Sequence, residues 1–537
     1  MALARPAARA VVPLLAALAT AVGAAVLAPG RAAAQGHAHP PGSAERLGTV
    51  RFATSCSPAV APQFDRAVAL LHSFEFGASL RAFSAVLAAD STCAMAHWGI
   101  ALSRWGNPMA ANARPVAALR AGQAAVDAAR RLDARVSERE RGYVAAAATL
   151  FADHERVDHR TRVLAYERAM AALAARHPDD SEARIFHAIA LTAAAPPTDK
   201  TYANQLRAGR TLEEIWTAQP DHPGLAHYII HAYDHPPLAD RARLAAQRYA
   251  QIAPAAAHAL HMPSHTFTRV GAWDASVETN LRSMDAALRT NSIAEALHAA
   301  DYVTYAYLQM RRLPEARAIV DSLPGFAARF DPNAVTGAAP GSAGLFALAA
   351  IPARWALERR AWAEAARLPQ TTTPFAWCDA MTHFARALGA ARTRDLTTAR
   401  AAIDSLAADE RRLREAREGY WAEQVAIQQL GARAWLARAE GRDDAALAAM
   451  REAAAREDAT DKSAVTPGPL APARELLGDL LLELGRPAEA LEAYRTALRS
   501  EPNRHHTVDG ARRAAEAAGD RAAAAGYAAQ LRAITGG

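Results

Sequence analysis

The chain is 537 residues long, 51% hydrophobic and 22% charged, a balance that excludes wholesale disorder. Alanine, the best helix former, supplies roughly a quarter of it and β-branched runs are scarce, so an all-β fold is excluded. The net charge is +6 with both signs interspersed and no basic block interleaved with aromatics, so nucleic acid is not an expected partner.

Residues 1–34 read as an export signal. Arg5 and Arg9 precede an uncharged apolar stretch from Ala10 to Leu27, and Ala32-Ala33-Ala34 offers a small-residue cleavage site before Gln35. The other reading is a retained membrane anchor, but the stretch is mostly Ala and Val and ends in that cleavage pattern. Removal takes Arg5, Arg9 and Arg31 out of the net charge. No later stretch approaches about 18 uninterrupted apolar residues, so no membrane span is expected after cleavage. A periplasmic or secreted location follows. Residues 35–55, His/Pro/Gly-rich at Gly36–Pro41, read as a flexible lead-in.

Three cysteines in an exported chain raise the question of a disulfide. Cys56 precedes the first helical segment and Cys93 opens Cys-Ala-Met-Ala-His-Trp-Gly, so the two are placed to staple the lead-in to the first helical hairpin. Two free buried thiols are the alternative. Cys378 is left as a buried apolar residue. No CxxC motif is present, which excludes a cysteine zinc site.

Helical hairpins read at Phe64–Leu87, Val136–His177 and Tyr420–Arg456, and Ala193–Asp199 is an interrupting loop. Residues 56–322 form a first array, 323–352 a Pro/Gly-rich connector and 353–537 a second array. Ser463–Pro472 is a further Pro/Gly loop. The clearest unit, Pro472 to Asn503, places Gly478 in one helix, Gly485-Arg486-Pro487 at a turn, and Ala490, Tyr494 and Ala497 in a second helix. Small residues where two helices cross, with a bulky ring beside them, make a tight helical hairpin. This unit resembles the tetratricopeptide repeat. Weaker copies follow that repeat's 34-residue period: Pro220 and Pro254 each end a helical segment and lie 34 apart. The resulting expectation is an all-α fold, a right-handed solenoid of antiparallel helix pairs.

Histidines fall on the same period. Seven of the chain's 19 lie between His222 and His265, far above an even spread. His227 and His261 are one period apart, as are His231 and His265, and each i,i+4 pair shares a helix face. In the repeat register, His258 joins the second pair, and His298, Asp301 and Tyr305 take the matching positions of the next repeat. Resemblance to the repeat implies that these positions line a concave groove. Several imidazoles and a carboxylate converging on one space suit Zn, Cu or Fe, with Asp234, His235 and Tyr305 as outer partners. A polar groove for a peptide and plain helix packing are the competing readings. Pro263, between His261 and His265, must kink the helix or start a new one.

Two longer stretches, His-Tyr-Ile-Ile-His-Ala-Tyr-Asp-His-Pro (His227–Pro236) and His-Ala-Leu-His-Met-Pro-Ser-His-Thr-Phe-Thr-Arg (His258–Arg269), resemble signatures of a bacterial family of exported tetratricopeptide proteins without an assigned activity. Asp301-Tyr302, Val465-Thr466-Pro467-Gly468-Pro469 and Arg474-Glu475 fit the same family. One departure is Ser463-Ala464, where relatives are expected to carry His-Pro. Other catalytic motifs are missing: there is no GxGxxG, P-loop, GxSxG or HExxH. Glu457-Asp458 and Arg474-Glu475 flank the Pro/Gly loop and are read as fixing it. The expected function is an exported binding scaffold with a histidine-lined groove that takes a protein or peptide and a divalent metal. The alternative is a metal-dependent hydrolase or oxidoreductase built on the same histidines.

Overall fold

The computed structural model describes residues 45–110 and 114–536. The expected signal segment 1–34 and the first part of the lead-in lie outside the described residues. Among the described residues there are twenty-five α-helices and no strand. No helix there is long and apolar enough to cross a membrane.

Arg46–Gly537 is one compact unit. Each helix packs on the next. Many also pack on the next but one, as Ser181–Ala193 does on Pro223–Ala232 and Ala473–Glu483 on His505–Ala517. That is the contact pattern of stacked helical hairpins, an all-α solenoid. The hairpin crossing follows the expected chemistry. Tyr494 is fully buried, and a Cβ on Gly478 or Gly510 would stand 2.6 or 2.3 Å from its ring. The Tyr494 hydroxyl donates to Asp479 Oδ1 at 2.7 Å. The same pairing recurs earlier, with Tyr233 filling the space over Gly209.

Two expectations are corrected. The lead-in is not loose from residue 46 onward. Leu47, Val50 and Phe52 are buried, the Thr49 amide donates to the Asp221 carbonyl, and Phe52 packs against Trp98 and Tyr143. Leu47, Val50 and Phe52 give this short segment apolar side chains to bury. The stretch 323–352 is mostly helical: Leu313–Arg329 carries Pro324 inside it, and Gly341–Glu358 carries Pro352. Only 330–340 is irregular, and the apolar cluster around Val303 and Tyr305 continues through Ala347 and Ile351 to Val508. The proline and glycine spacing marked helix irregularities there, not a linker.

Cys56 and Cys93 are joined by a disulfide with Cα atoms 4.7 Å apart, and Cys378 is a buried free thiol. Trp98, Trp273 and Trp421 lie in the core. The chain also folds back on itself. Ala61–His72 packs on Pro223–Ala232, and the Trp273 indole donates to the Asn503 carbonyl at 2.9 Å. These returns bury the inner face that an open solenoid would expose.

Replacing Gly478 by Ala forces a methyl against the Tyr494 ring and should cost about 1–3 kcal/mol of stability. Gly526→Ala, on a helix with nothing within 4 Å of the new methyl, should be stabilising by roughly 0.5–1 kcal/mol. Chemical denaturation of the two variants checks both signs.

Candidate metal centre

Four helical segments, three of them short, carry the histidines. Pro223–Ala232, started by a proline at its first turn, holds His227 and His231. Ala257–His261 holds His258 and His261, and Pro263–Arg269 holds His265. Pro263 begins the new helix, as a residue without an amide proton does at no cost in the first turn. Met262, the joint, keeps a right-handed helical conformation, so the rings of His261 and His265 stay together. Ile293–Gln309 brings in His298.

The rings form two groups. The ligand nitrogens of His227, His231 and His258 lie within 4.8 Å of one another, and so do those of His261, His265 and His298. All six rings are buried, the most exposed being His298 at 7%. Burial drives the pKa of His227, His231 and His261 far down, lowers that of His265, and takes His298 to about 3. These rings are therefore neutral imidazoles, the form that coordinates metal.

Hydrogen bonds fix which nitrogen is free. His227 Nδ1 donates to the His72 carbonyl at 2.6 Å, and His258 Nδ1 donates to Glu295 Oε1 at 2.9 Å. The Nε2 atoms of His227, His231 and His258 are buried with no hydrogen-bond partner. The acceptors behind His227 and His258 leave their Nε2 atoms as lone pairs, and lone-pair imidazole nitrogens held in this way are what a transition-metal ion requires. In the second group, His261 Nδ1 meets Asn280 Oδ1 at 2.6 Å and His265 Nδ1 meets Asp234 Oδ2 at 2.9 Å. Burial opposes ionisation of Asp234, but Lys462, Arg269 and His265 hold its carboxyl well below the usual range.

A third group, His72, Glu182 and His222, also gathers ligand atoms. Here the chemistry differs: His72 Nε2 and His222 Nε2 each reach a different oxygen of Glu182, at 2.9 and 3.0 Å. The nitrogens are spent on the carboxylate, and burial is outweighed by the two rings so that Glu182 stays ionised. This group supports the first triad from behind, because it holds the residue whose carbonyl orients His227.

Three expected partners sit elsewhere. Asp301 is not with the histidines; both its oxygens face Arg354, at 2.7 and 3.3 Å, and both residues are fully buried. On an α-helix it lies about 60° around from His298, which turns it toward Gly341–Glu358. Tyr305 is nearly in line with His298 but two turns along, where its hydroxyl donates to Glu501 Oε2 at 3.3 Å. Tyr302, one turn from His298, takes the place expected of it, with its hydroxyl 3.5 Å from His265 Nε2. His235 bonds Asp461 at 3.2 Å, outside both triads. Asp234 does stand behind a ligand ring, that of His265.

The expected open groove is corrected as well. Its centre is covered by Ala338–Pro340 and Ser463–Val465, leaving a cavity of about 50 Å³ walled by His231, His258, His265 and His298. A larger cavity of about 590 Å³ shares His231, Met109, Ser463 and Ala464 with it and leads outward. The loop 463–469 is held by Arg354, which donates to Thr466 Oγ1 and the Gly468 carbonyl, and by Tyr302, which bonds the Ala464 and Thr466 carbonyls. Arg474 pairs with Asp458 at its flank, as expected of a loop-fixing contact. Lys462, buried at its base, is pushed down to about 8 by burial and by Arg269.

No protein-family description and no curated protein matches this chain. Solved structures similar to it include a human IFIT1 dimer with m7Gppp-AAAA (10% identity, 82% of this chain and 90% of that one, TM-score 0.37). Yeast Tom70 is similar at 11% identity, over 86% of this chain and 96% of that one, with a TM-score of 0.36. The APC/C assembly Cut9–Hcn1 is similar at 12%, over 85% and 76%, with a TM-score of 0.35.

Asp301→Ala leaves the Arg354 guanidinium buried and unpaired and should cost about 3–5 kcal/mol. That loss should be equal with and without chelator, which a thermal melt in each condition reads directly. The neutral rings give a second expectation. Their folded pKa values lie below the unfolded value of about 6.5, so below that pH the unfolded state binds more protons. Stability of the metal-free protein should be level above about pH 7.5 and fall as pH drops through 6.5, each such ring adding about 1.4 kcal/mol per pH unit. Melting temperatures between pH 8 and pH 5 test it.

Proposed function

We propose that this is an exported tetratricopeptide-like protein whose working part is a buried transition-metal centre. The carrying observation is the clustering of ring nitrogens from His227, His231 and His258, whose Nε2 atoms are all buried without a hydrogen-bond partner. A buried polar atom without a partner costs free energy, and a cation held by the clustered rings would offset that cost. An all-imidazole donor set suits Zn, Cu, Fe or Ni. Export is supported by the signal-like N-terminus, by the resemblance to an exported bacterial family, and by the Cys56–Cys93 disulfide, since such bonds persist in oxidising compartments.

Metal-dependent chemistry on a small molecule fits the centre better than capture of a peptide. The rings are buried, and a cavity of about 50 Å³ beside them has room for a few waters, not for a side chain and backbone. His231 stands in the walls of both this space and the larger outward cavity, which gives a bound ion an approach from solvent. An accessible coordination position is what separates catalytic from closed structural sites. A hydrolase or oxidoreductase of small substrates is the class that this arrangement supports, and a protein or peptide partner would dock on the outer helices instead.

The test is elemental analysis of protein purified without a histidine tag, with melts in the presence and absence of chelator. Bound Zn, Cu, Fe or Ni is expected, with chelator lowering stability by about 3 kcal/mol or more. His227→Ala and His258→Ala should each lower the metal content. Protein that carries no metal, takes none up on dialysis, and melts identically with chelator would sink the reading.

A further inference from the structure

The two triads adjoin so closely that the distances between them match the distances within them. Ring centroids of His258 and His261 are 5.8 Å apart and those of His231 and His265 are 6.0 Å apart. Inside the triads the corresponding spacings run from 4.4 Å (His261–His298) to 6.5 Å (His231–His258).

The second triad also carries its own sign of a missing cation. Asn280 Nδ2 donates to the Ser276 carbonyl at 2.7 Å, which fixes Oδ1 as the atom facing His261. An amide oxygen only accepts, so His261 Nδ1 holds the ring's proton. Asp234, also bonded by Arg269 Nε at 2.8 Å, is an acceptor too, so His265 Nδ1 holds that ring's proton. The Nε2 atoms of His261 and His265, 3.1 Å apart, then face each other with two lone pairs and no hydrogen between them. Two nitrogens each about 2.0–2.1 Å from one tetrahedral ion lie about 3.4 Å apart, close to the observed contact.

Both triads share one pattern of outer partners. Each has a ring backed by a carboxylate, His258 by Glu295 and His265 by Asp234. Each has a ring backed by a neutral carbonyl oxygen, His227 by the His72 backbone and His261 by Asn280. The cavity between takes two walls from each triad, His231 and His258 from one, His265 and His298 from the other.

We propose that the triads hold two divalent transition-metal ions side by side, one dinuclear centre with six imidazole ligands and room between the ions for a bridging water or hydroxide. Ions in such centres stand about 3.5–4 Å apart and act on one small ligand together. This rests on the metal reading above, and the two fail differently.

The experiment loads full-length, untagged, metal-free protein with Cu(II), counts the ions retained after dialysis, and records the electron paramagnetic resonance spectrum. Two ions per chain are expected, with a spectrum weakened or broadened by coupling between them. His227→Ala and His261→Ala should each retain one ion and show the full signal of an isolated Cu(II). Saturation of the wild type at one ion, or two ions with uncoupled signals, overturns the dinuclear centre and leaves a mononuclear site. Retention of no ion overturns both readings. The wild-type count and spectrum decide the matter even where a variant fails to fold.

Discussion

Six imidazoles are buried side by side, and each needs an acceptor for one nitrogen. A neutral ring donates through one nitrogen and offers a lone pair at the other, so burying it means providing for both. The surrounding residues provide the first half for four of the six: a backbone carbonyl at residue 72, the amide oxygen of Asn280 and the carboxylates of Glu295 and Asp234. None of the orphaned Nε2 atoms of the first triad has a protein partner. Buried polar groups stand behind these rings and orient them, and the proposed metal centre would use the remaining lone pairs.

The supporting layers extend well beyond the rings. Glu182 ties His72 and His222 together behind the first triad, and His72 Nδ1 also meets the Tyr228 hydroxyl at 3.0 Å. On the other side the Asp301–Arg354 pair anchors the loop that covers the cavity, so a residue expected to bind metal holds the cover in place instead. Farther along, Arg504 is clasped by Glu475 and Glu358, joining the C-terminal repeats to the same core. The repeat array is thus a scaffold in a literal sense: distant hairpins each supply one wall or one brace.

Much of this was legible in the sequence because periodicity is geometry. The 34-residue spacing of His227 with His261 and of His231 with His265 placed four rings on neighbouring helices, where the structure has them. The crossing of Gly478 over Tyr494 was legible for the same reason. Asp301 and Tyr305 were misplaced because a repeat register fixes a position along a helix but not which neighbour that face meets. Tyr302 was within the quoted motif, yet only the rotation of Ile293–Gln309 selects it over Tyr305. Glu182, Glu295 and Asn280 have no local signature, since their partners are 110, 37 and 19 residues distant. The cover over the centre depends on contacts across more than 100 residues, such as Arg354 with Gly468, and no short-range pattern encodes those.

The long separation between the rings and their cover has a consequence in time. A chain made or threaded across a membrane from its N-terminus presents every ring of both triads once His298 has emerged. The loop that roofs them, Ser463–Val465, follows only after most of the second half of the helices. Through that interval the walls given by His231, His258, His265 and His298 lack the part of their cover that Ser463–Val465 supplies. On the proposed metal reading, the order of synthesis would therefore place loading of the site before completion of its cover.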